Sequence, residues 1–516
     1  MSSTDSTDST DGAAGAQDGP DAYEPRPGLT HRDADWSGLR VLVAGLGISG
    51  FAAADALLER GAHVLGVDTG SGQTLEERAK ILRILDARLV LGDDASVAME
   101  RPAGLLADID LVVTSPGWRP DNPLLAAARD AGIPVWGEVE LAWRMRPERD
   151  PAPWLTITGT NGKTTVVTML AGMLRAAGLR AAAAGNVGTP ILEAVLHPEP
   201  YDVIAVELSS FQLHWQRSLS PLASVCLNVA PDHIDWHGSL EEYTKAKGKV
   251  YANTQVACVY NAQDPTTEQL VVDADVIEGA RAVAFTLDTP AVSMVGLVDD
   301  VLADRAFVAE RETSAAELGT LADLARGGVP PAPHVVANAP AAAALARAFG
   351  APPVAVREGL RGYVFEPHRI APVATDGDVT WIDDSKATNT HAAQASLSAY
   401  EHVVWVAGGL LKGADVDDLV RTAADRLRAV VLMGRDREQI AQALARHAPQ
   451  VPVIDVPQTD NGAMDLVVEA AASHARPGDV VLLAPAAASM DMFANYGARG
   501  DAFADAVRRH LGASPS

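Results

Sequence analysis

The chain has 516 residues, too many for one core, so three domains are expected from length alone. Hydrophobic residues are 48% and charged residues 21%, the balance of a soluble globular enzyme. A net charge of −26, from 41 basic and 67 acidic residues, argues against a general nucleic-acid or anionic-membrane binder, so an anionic ligand would need a local basic cluster.

No apolar run reaches the roughly 18 residues of a membrane span. The N-terminus lacks the basic region and apolar run of a signal peptide. The two cysteines, Cys226 and Cys258, lie in apolar strand-like runs and read as buried reduced thiols of a cytoplasmic protein. Residues 1–34 are rich in Ser, Thr, Asp, Gly and Pro and are expected to be a disordered tail. Arg40–Ala44 is a buried strand. Gly45-Leu46-Gly47-Ile48-Ser49-Gly50 then opens a helix, and His63–Asp68 is the next strand. This βαβ unit carries G-x-G-x-x-G and an acid, Asp68, at the end of its second strand. The pattern requires a diphosphate at a helix N-terminus and a ribose hydroxyl near Asp68, which UDP satisfies as well as NAD does. Asp110–Thr114 is a further strand, ending in Ser115-Pro116-Gly117. A short helix from about Glu138 leads to the Pro-rich linker 146–153, the first domain boundary.

Trp154–Ile157 reads as a strand, Thr158-Gly159-Thr160-Asn161-Gly162 as a turn of small residues, and Lys163-Thr164-Thr165 as a helix start. Together they predict a phosphate site. The glycines admit backbone N–H groups to an anion, the helix terminus adds positive charge, Lys163 adds a cation, and the Thr164 hydroxyl suits Mg²⁺. The spacing departs from the full G-x-x-x-x-G-K-[ST], because Ile157 stands where the first Gly belongs. Strand 201–206 ends in Glu207, well placed beside such a loop to hold a metal. Ala230–Gly238 holds two His and two Asp. A transition-metal site is one reading, and a magnesium site beside the ATP loop is the more economical one. Lys245, Lys247 and Lys249 read as a solvated helix face. Segment 264–333 carries no motif and is expected to add strands and a loop. After residue 366, strands alternating with helices predict another parallel α/β domain.

The run TGTNGKTT resembles the ATP loop of the Mur ligases, which build the peptide of bacterial cell-wall precursors, and of the folylpolyglutamate synthetases. V-x-S-P-G at 113–117, E-L-S-S-F-Q-L at 207–213, D-H-I-D-W-H-G at 232–238, H-x-x-x-N at 334–338 and D-S-K-A-T-N at 384–389 also resemble the Mur ligases, in that family's order. G-G-x-x-K-G-x-D at 408–415 and the A-P-A-x-x-S run at 484–503 resemble its D-glutamate-adding members. No D-N-P-R of the diaminopimelate-adding members is present.

The resemblance implies an α/β fold of three domains. A Rossmann-like UDP-substrate domain would span 35–150, a central P-loop ATPase-like parallel-sheet domain 151–366, and a Rossmann-like amino-acid-binding domain 367–516. It implies an ATP-dependent ligase that adds D-glutamate to UDP-N-acetylmuramoyl-L-alanine through an acyl phosphate, acting as a cytoplasmic monomer with no nucleic-acid or membrane partner. The expected UDP-substrate residues are Gly45, Leu46, Ser49, Asp68, Thr69, Ser115, Gly117, Asn186, Ser209 and Gln212. ATP would meet Gly159, Thr160, Asn161, Gly162, Lys163, Thr164, Thr165, Asn338, Arg369 and Asp384. Thr164, Glu207, His233 and Lys247 would hold Mg²⁺ at two sites, Lys247 as a carbamate formed with CO₂. Lys163, His233 and Lys247 form the expected catalytic set. Lys386, Thr388, Lys412, Ser489 and Tyr496 would take D-glutamate, with Lys412 as the cation a dicarboxylate needs. Two alternatives are another amide ligase of the folylpolyglutamate type and a nucleotide-binding or NAD-linked protein without catalysis. Gly70 stands where some relatives carry a basic residue.

Overall fold

The structure, a computed structural model, describes residues 24–325, 331, 333–364, 367–459 and 462–512. Among them the strands form three sheets flanked by helices. The chain packs as two compact units. One comprises the chain up to Pro151 together with Trp215–Ser218, and the other Ala152–His214 with Leu219 onward.

In the first unit, β1 (Arg40–Ala44), β2 (His63–Asp68), β3 (Arg88–Leu91), β4 (Leu111–Thr114) and β5 (Val135–Gly137) pair in parallel, in the order β3-β2-β1-β4-β5. β1 and β4 are near-continuous apolar runs because helices cover both faces of a parallel sheet. The strand order changes direction at β1, so the turns after β1 and β4 open on the crevice where such sheets bind ligands.

The expectation of a disordered tail over 1–34 needs correction. Residues 1–23 lie outside the described residues, but 24–34 are packed. Leu29 is 1% exposed, Arg144 donates to the Leu29 carbonyl and pairs with Glu24 at 2.9 Å, and Arg32 N–H bonds the Arg146 carbonyl. Polar composition hid two apolar anchors, Leu29 and Trp36, which bury enough surface to hold the segment.

The second unit holds the other two sheets. β6 (Trp154–Thr158), β7 (Ala181–Gly185), β8 (Val203–Glu207), β9 (Ala223–Cys226), β10 (Ala257–Asn261), β11 (Arg281–Phe285), β12 (Met294–Val298), β13 (Val301–Asp304) and β14 (Ala316–Thr320) run in the order β14-β13-β12-β11-β10-β9-β6-β8-β7. Pairing is parallel from β7 to β12 and antiparallel from there to β14, so the motif-poor segment after 264 extends the sheet. The helix Lys163–Ala176 buries Val166, Leu170 and Met173 against this sheet.

The third sheet has β15 (Ala371–Asp376), β16 (Val379–Asp383), β17 (Val403–Gly408), β18 (Leu427–Met433), β19 (Val453–Asp455) and β20 (Val480–Leu483), in the order β15-β16-β20-β17-β18-β19. Only β15 is antiparallel. Phe365 and Glu366, at the expected boundary between the central and third domains, lie outside the described residues. No helix of the described residues is long and apolar enough to cross a membrane.

Candidate active site

Residues at the ends of β6, β8, β9, β16 and β17 converge on one cleft of about 250 Å³ in the second unit. Its floor is the turn after β6. Gly159 and Gly162 adopt φ of +150° and +87°, which lets the turn double back before the helix starts at Lys163. The turn is fixed from outside by Asn228. Its side chain accepts from Asn161 N–H at 2.9 Å and donates to the Asn161 carbonyl at 3.2 Å. Lys163 Nζ donates back to the carbonyls of Gly159 and Thr160 at 2.9 and 3.0 Å. Burial lowers its pKa, with Glu207 and Asp232 opposing.

Around this floor the cleft is lined by Thr160, Asn161, Gly162, Lys163 and Thr164 of the loop, and by Asn186, Glu207 and His233. From the third sheet come Arg369, Lys386, Thr388, Lys412 and Tyr496. Glu207 ends β8 almost wholly buried. Its Oε1 accepts from Asn186 Nδ2 at 2.9 Å, while Oε2 has no hydrogen-bond partner. A buried carboxylate oxygen left without a donor is costly unless a cation meets it, so the residues present suit a hard divalent ion. Among the described residues no group of three or more His, Cys, Asp and Glu side chains is arranged to hold a metal ion by itself. One buried carboxylate beside a phosphate loop suits Mg²⁺, which takes one or two carboxylates together with phosphates and water.

His233 adopts φ +54° and packs edge-on to Phe211. Burial, with Lys412, Lys163 and Lys247 adding to it against Asp232, lowers its pKa to about 4, so the ring is neutral near pH 7. Asp232 lies 3.9 Å from Lys412 Nζ and 3.6 Å from His233 Nε2. Asp232, one of the two Asp of the 230–238 segment read as a metal site, lines the cleft as well.

A second cavity adjoins the loop. It is lined by Asn161, Gly162, Asn228, His334, Asn338, Arg369, Asp384 and Ser396, so Arg369, Lys386 and the loop face both spaces. Asn338 donates to the His334 carbonyl at 2.7 Å and stands against Gly162. Asp384 accepts from Ser396 Oγ and from Ile370 N–H, and burial pushes its carboxyl up to about 6.

Several expected residues stand elsewhere. Lys247 is buried beneath the loop, outside the cleft lining. Its Nζ donates to the Gly159 carbonyl at 2.8 Å and lies 4.6 Å above the Tyr243 ring. Burial first, and then Lys163, lower its pKa to about 7. Thr165 is buried behind the loop. Ser489 is buried outside the lining of both cavities, with its carbonyl accepting from Met492 and Phe493 N–H. Ser209 and Gln212 also lie outside the cleft lining and cap the helix Ser210–His214 reciprocally. Ser209 N–H meets Gln212 Oε1, and Gln212 N–H meets Ser209 Oγ. Lys249, read as a surface residue, is half-buried and donates to the His214 carbonyl at 2.8 Å; Lys245 is exposed and paired with Glu241 and Glu242. Lys386 Nζ lies 5.6 Å over the Tyr496 ring.

In the first unit the glycine turn is as tight as its sequence suggests. A side chain at Gly45 would strike Ser115 and Trp118, and Ser115 Oγ donates to the Gly45 carbonyl. Asp68 has both oxygens engaged, accepting from Leu46 N–H at 2.6 Å and Gly70 N–H at 2.7 Å. It therefore fixes the loop. Leu46 is fully buried, which leaves its backbone as its contribution, and Ser49 is half-buried. Thr69 and Gly117 line an open depression with Trp118 and Arg119.

Three family models cover most of the chain. They are described as Mur ligase MurD-like N-terminal domain over residues 39–137, Mur ligase middle domain over 157–346, and Mur ligase glutamate ligase domain over 368–487. The chain belongs to the Mur ligase family. It is 58% identical to the UDP-N-acetylmuramoylalanine–D-glutamate ligase of Streptomyces avermitilis, over 92% of this chain and 99% of that one. Proteins of the same name from Thermobifida fusca, at 57% over 92% and 99%, and Mycolicibacterium smegmatis, at 46% over 92% and 97%, are also similar. Among solved structures, the UDP-N-acetylmuramate–alanine ligase of Thermotoga maritima shares the fold at a TM-score of 0.52 and 19% identity, covering 92% of this chain and 99% of that one. A pseudomurein peptide ligase of Methanothermus fervidus does so at 0.55 and 16%, covering 92% and 100%.

Proposed function

We propose that this Mur ligase joins D-glutamate to UDP-N-acetylmuramoyl-L-alanine, with hydrolysis of ATP to ADP and phosphate, in the making of peptidoglycan precursors. The observation that carries the reading is the single cleft that gathers Lys163 of the phosphate loop, the unpartnered Glu207 oxygen, and Lys386, Thr388 and Lys412 of the third sheet. A ligase of this kind needs an ATP phosphate, a carboxylate and an amino-acid dicarboxylate in one place, and those side chains match the three anions.

ATP lies with its phosphates on the 159–165 turn and its base toward Asn338, where Arg369 and Asp384 face the adjoining cavity. Lys163 leaves its two backbone carbonyls to meet the phosphates. The γ-phosphoryl group passes to the carboxylate of the UDP substrate, forming an acyl phosphate. The amine of D-glutamate then attacks the acyl carbon, the C–N bond forms, a proton leaves the amine, and phosphate departs. Lys163 and the neutral His233 face the charge that builds on the transferred group. Thr164 and Glu207 would hold Mg²⁺, which supplies neutralisation of phosphoryl oxygens. Lys412 and Lys386 take the dicarboxylate, with Thr388 in the same wall and Tyr496 beside Lys386. The glycine turn of the first unit, with Asp68 bracing it and Thr69, Ser115 and Gly117 beside it, takes the UDP end.

Lys247 works as a carbamate in this reading. Carbamate formation needs a neutral amine, and burial beside Lys163 makes one available near pH 7. The product would carry two anionic oxygens suited to a second Mg²⁺ with His233, while its N–H could still donate to the Gly159 carbonyl. The three domains expected from the sequence stand in the same way, as binders of UDP substrate, ATP and amino acid.

Phosphate release tests the function. With ATP and UDP-N-acetylmuramoyl-L-alanine present, D-glutamate should sustain release and L-glutamate, L-alanine or diaminopimelate should not. Release driven by a different amino acid, or by a folate with L-glutamate, would assign the chain to another ligase class.

A further inference from the structure

The loop that holds phosphate and the turn that faces the amino acid touch through one pair of side chains. Asn389 Nδ2 donates to Asn161 Oδ1 at 3.1 Å, and Asn161 Nδ2 reaches Asn389 Oδ1 at 3.5 Å, a reciprocal amide pair spanning 228 residues of sequence. Each partner is fixed on its own side. Asn161 is held through its main chain by the Asn228 side chain, as described above. Asn389 caps the helix Thr390–Ser398 by accepting from Ala392 N–H at 2.9 Å, and it directly follows Thr388 in the turn that also carries Lys386. Both amides line the cleft, and Asn389 is 8% exposed.

We infer that Asn389 is a positioning residue, whose amide pair with Asn161 ties the 386–389 turn to the phosphate loop and so holds Lys386 and Thr388 in place for the dicarboxylate. The inference rests on the functional reading above, since it needs an amino-acid carboxylate at Lys386 and Thr388.

Serine and threonine are good helix caps, so Asn389→Ser keeps the bond to Ala392 N–H but cannot reach Asn161. The Michaelis constants for D-glutamate and ATP are measured for wild type, Asn389→Ser, Asn161→Ala and the double variant, with melting temperatures. Asn389→Ser should raise the D-glutamate constant about threefold to tenfold, the range expected for one or two neutral hydrogen bonds. Its ATP constant should stay within about twofold. In the double variant the two effects on D-glutamate should be clearly less than additive. Additive effects, an unchanged D-glutamate constant, or equal rises for both substrates would overturn the inference. If Asn389→Ser melts early, Asn389→Thr takes its place under the same criteria. A wild-type protein inert with D-glutamate would instead sink the functional reading, so the two failures are distinguishable.

Discussion

Burial shifts the Asp384 carboxyl up and the Lys247 amine down from their ordinary pKa values. Asp384 is raised to about 6 in the folded protein, above its unfolded value near 3.8. The folded state therefore binds that proton more tightly. The stabilisation is complete below about pH 4 and is lost as pH rises through about 6. Asp384→Asn keeps an acceptor for Ile370 N–H and removes the titration. Urea unfolding at about pH 4 and about pH 7 should show a change in stability smaller than wild type by on the order of 1–3 kcal/mol; an identical pH slope would contradict the assignment. Lys247 is lowered to about 7, which leaves an amine able to react with CO₂. Lys247→Ala should cut turnover by roughly 100-fold or more, with partial recovery in added acetate. Depleting CO₂ should slow wild type, and insensitivity to CO₂ together with an unmodified Lys247 mass would remove the carbamate.

At the scale of elements, the phosphate turn is the most demanding piece. Gly162 has φ +87°, and a β-carbon there would stand 2.2 Å from Asn338 Oδ1. Gly162→Ala should cost about 1–3 kcal/mol of stability and weaken binding of an ATP analogue by roughly tenfold, read by calorimetry. Such turns are legible in sequence because glycine, lysine and threonine at fixed offsets have few other uses. Other features were less open. The S-x-x-Q of Ser209 and Gln212 is a capping-box signature, and its structural meaning was available beside the substrate role that resemblance supplied. Asn228 carries no motif, so its grip on Asn161 is visible only once β9 lies beside β6. Lys247 read first as one of three lysines on a solvated face, because helical spacing does not reveal which turn of a short helix goes under a loop. The Asn161–Asn389 pair has no local signal at all.

For the whole molecule, alternation of strands and helices was enough to foresee parallel sheets, while the antiparallel edge of β12–β14 and the packed stretch 24–34 were not foreseen. Both are held by tertiary contacts that local composition does not encode. Leu29→Ala should therefore destabilise the first unit by about 2–5 kcal/mol. It should weaken UDP-substrate binding and leave ATP-analogue affinity in the second unit unchanged; equal losses for both ligands would mean the packing of 24–34 serves the entire chain. The central claim is that ATP activates the UDP substrate's carboxylate for attack by D-glutamate. Its most direct test is UDP-N-acetylmuramoyl-L-alanine labelled with ¹⁸O in that carboxylate, incubated with ATP and D-glutamate and followed by mass spectrometry. The account predicts the D-glutamyl product together with released phosphate carrying one ¹⁸O from the substrate; product formed with unlabelled phosphate, or labelled substrate left intact while ATP is consumed, would contradict it.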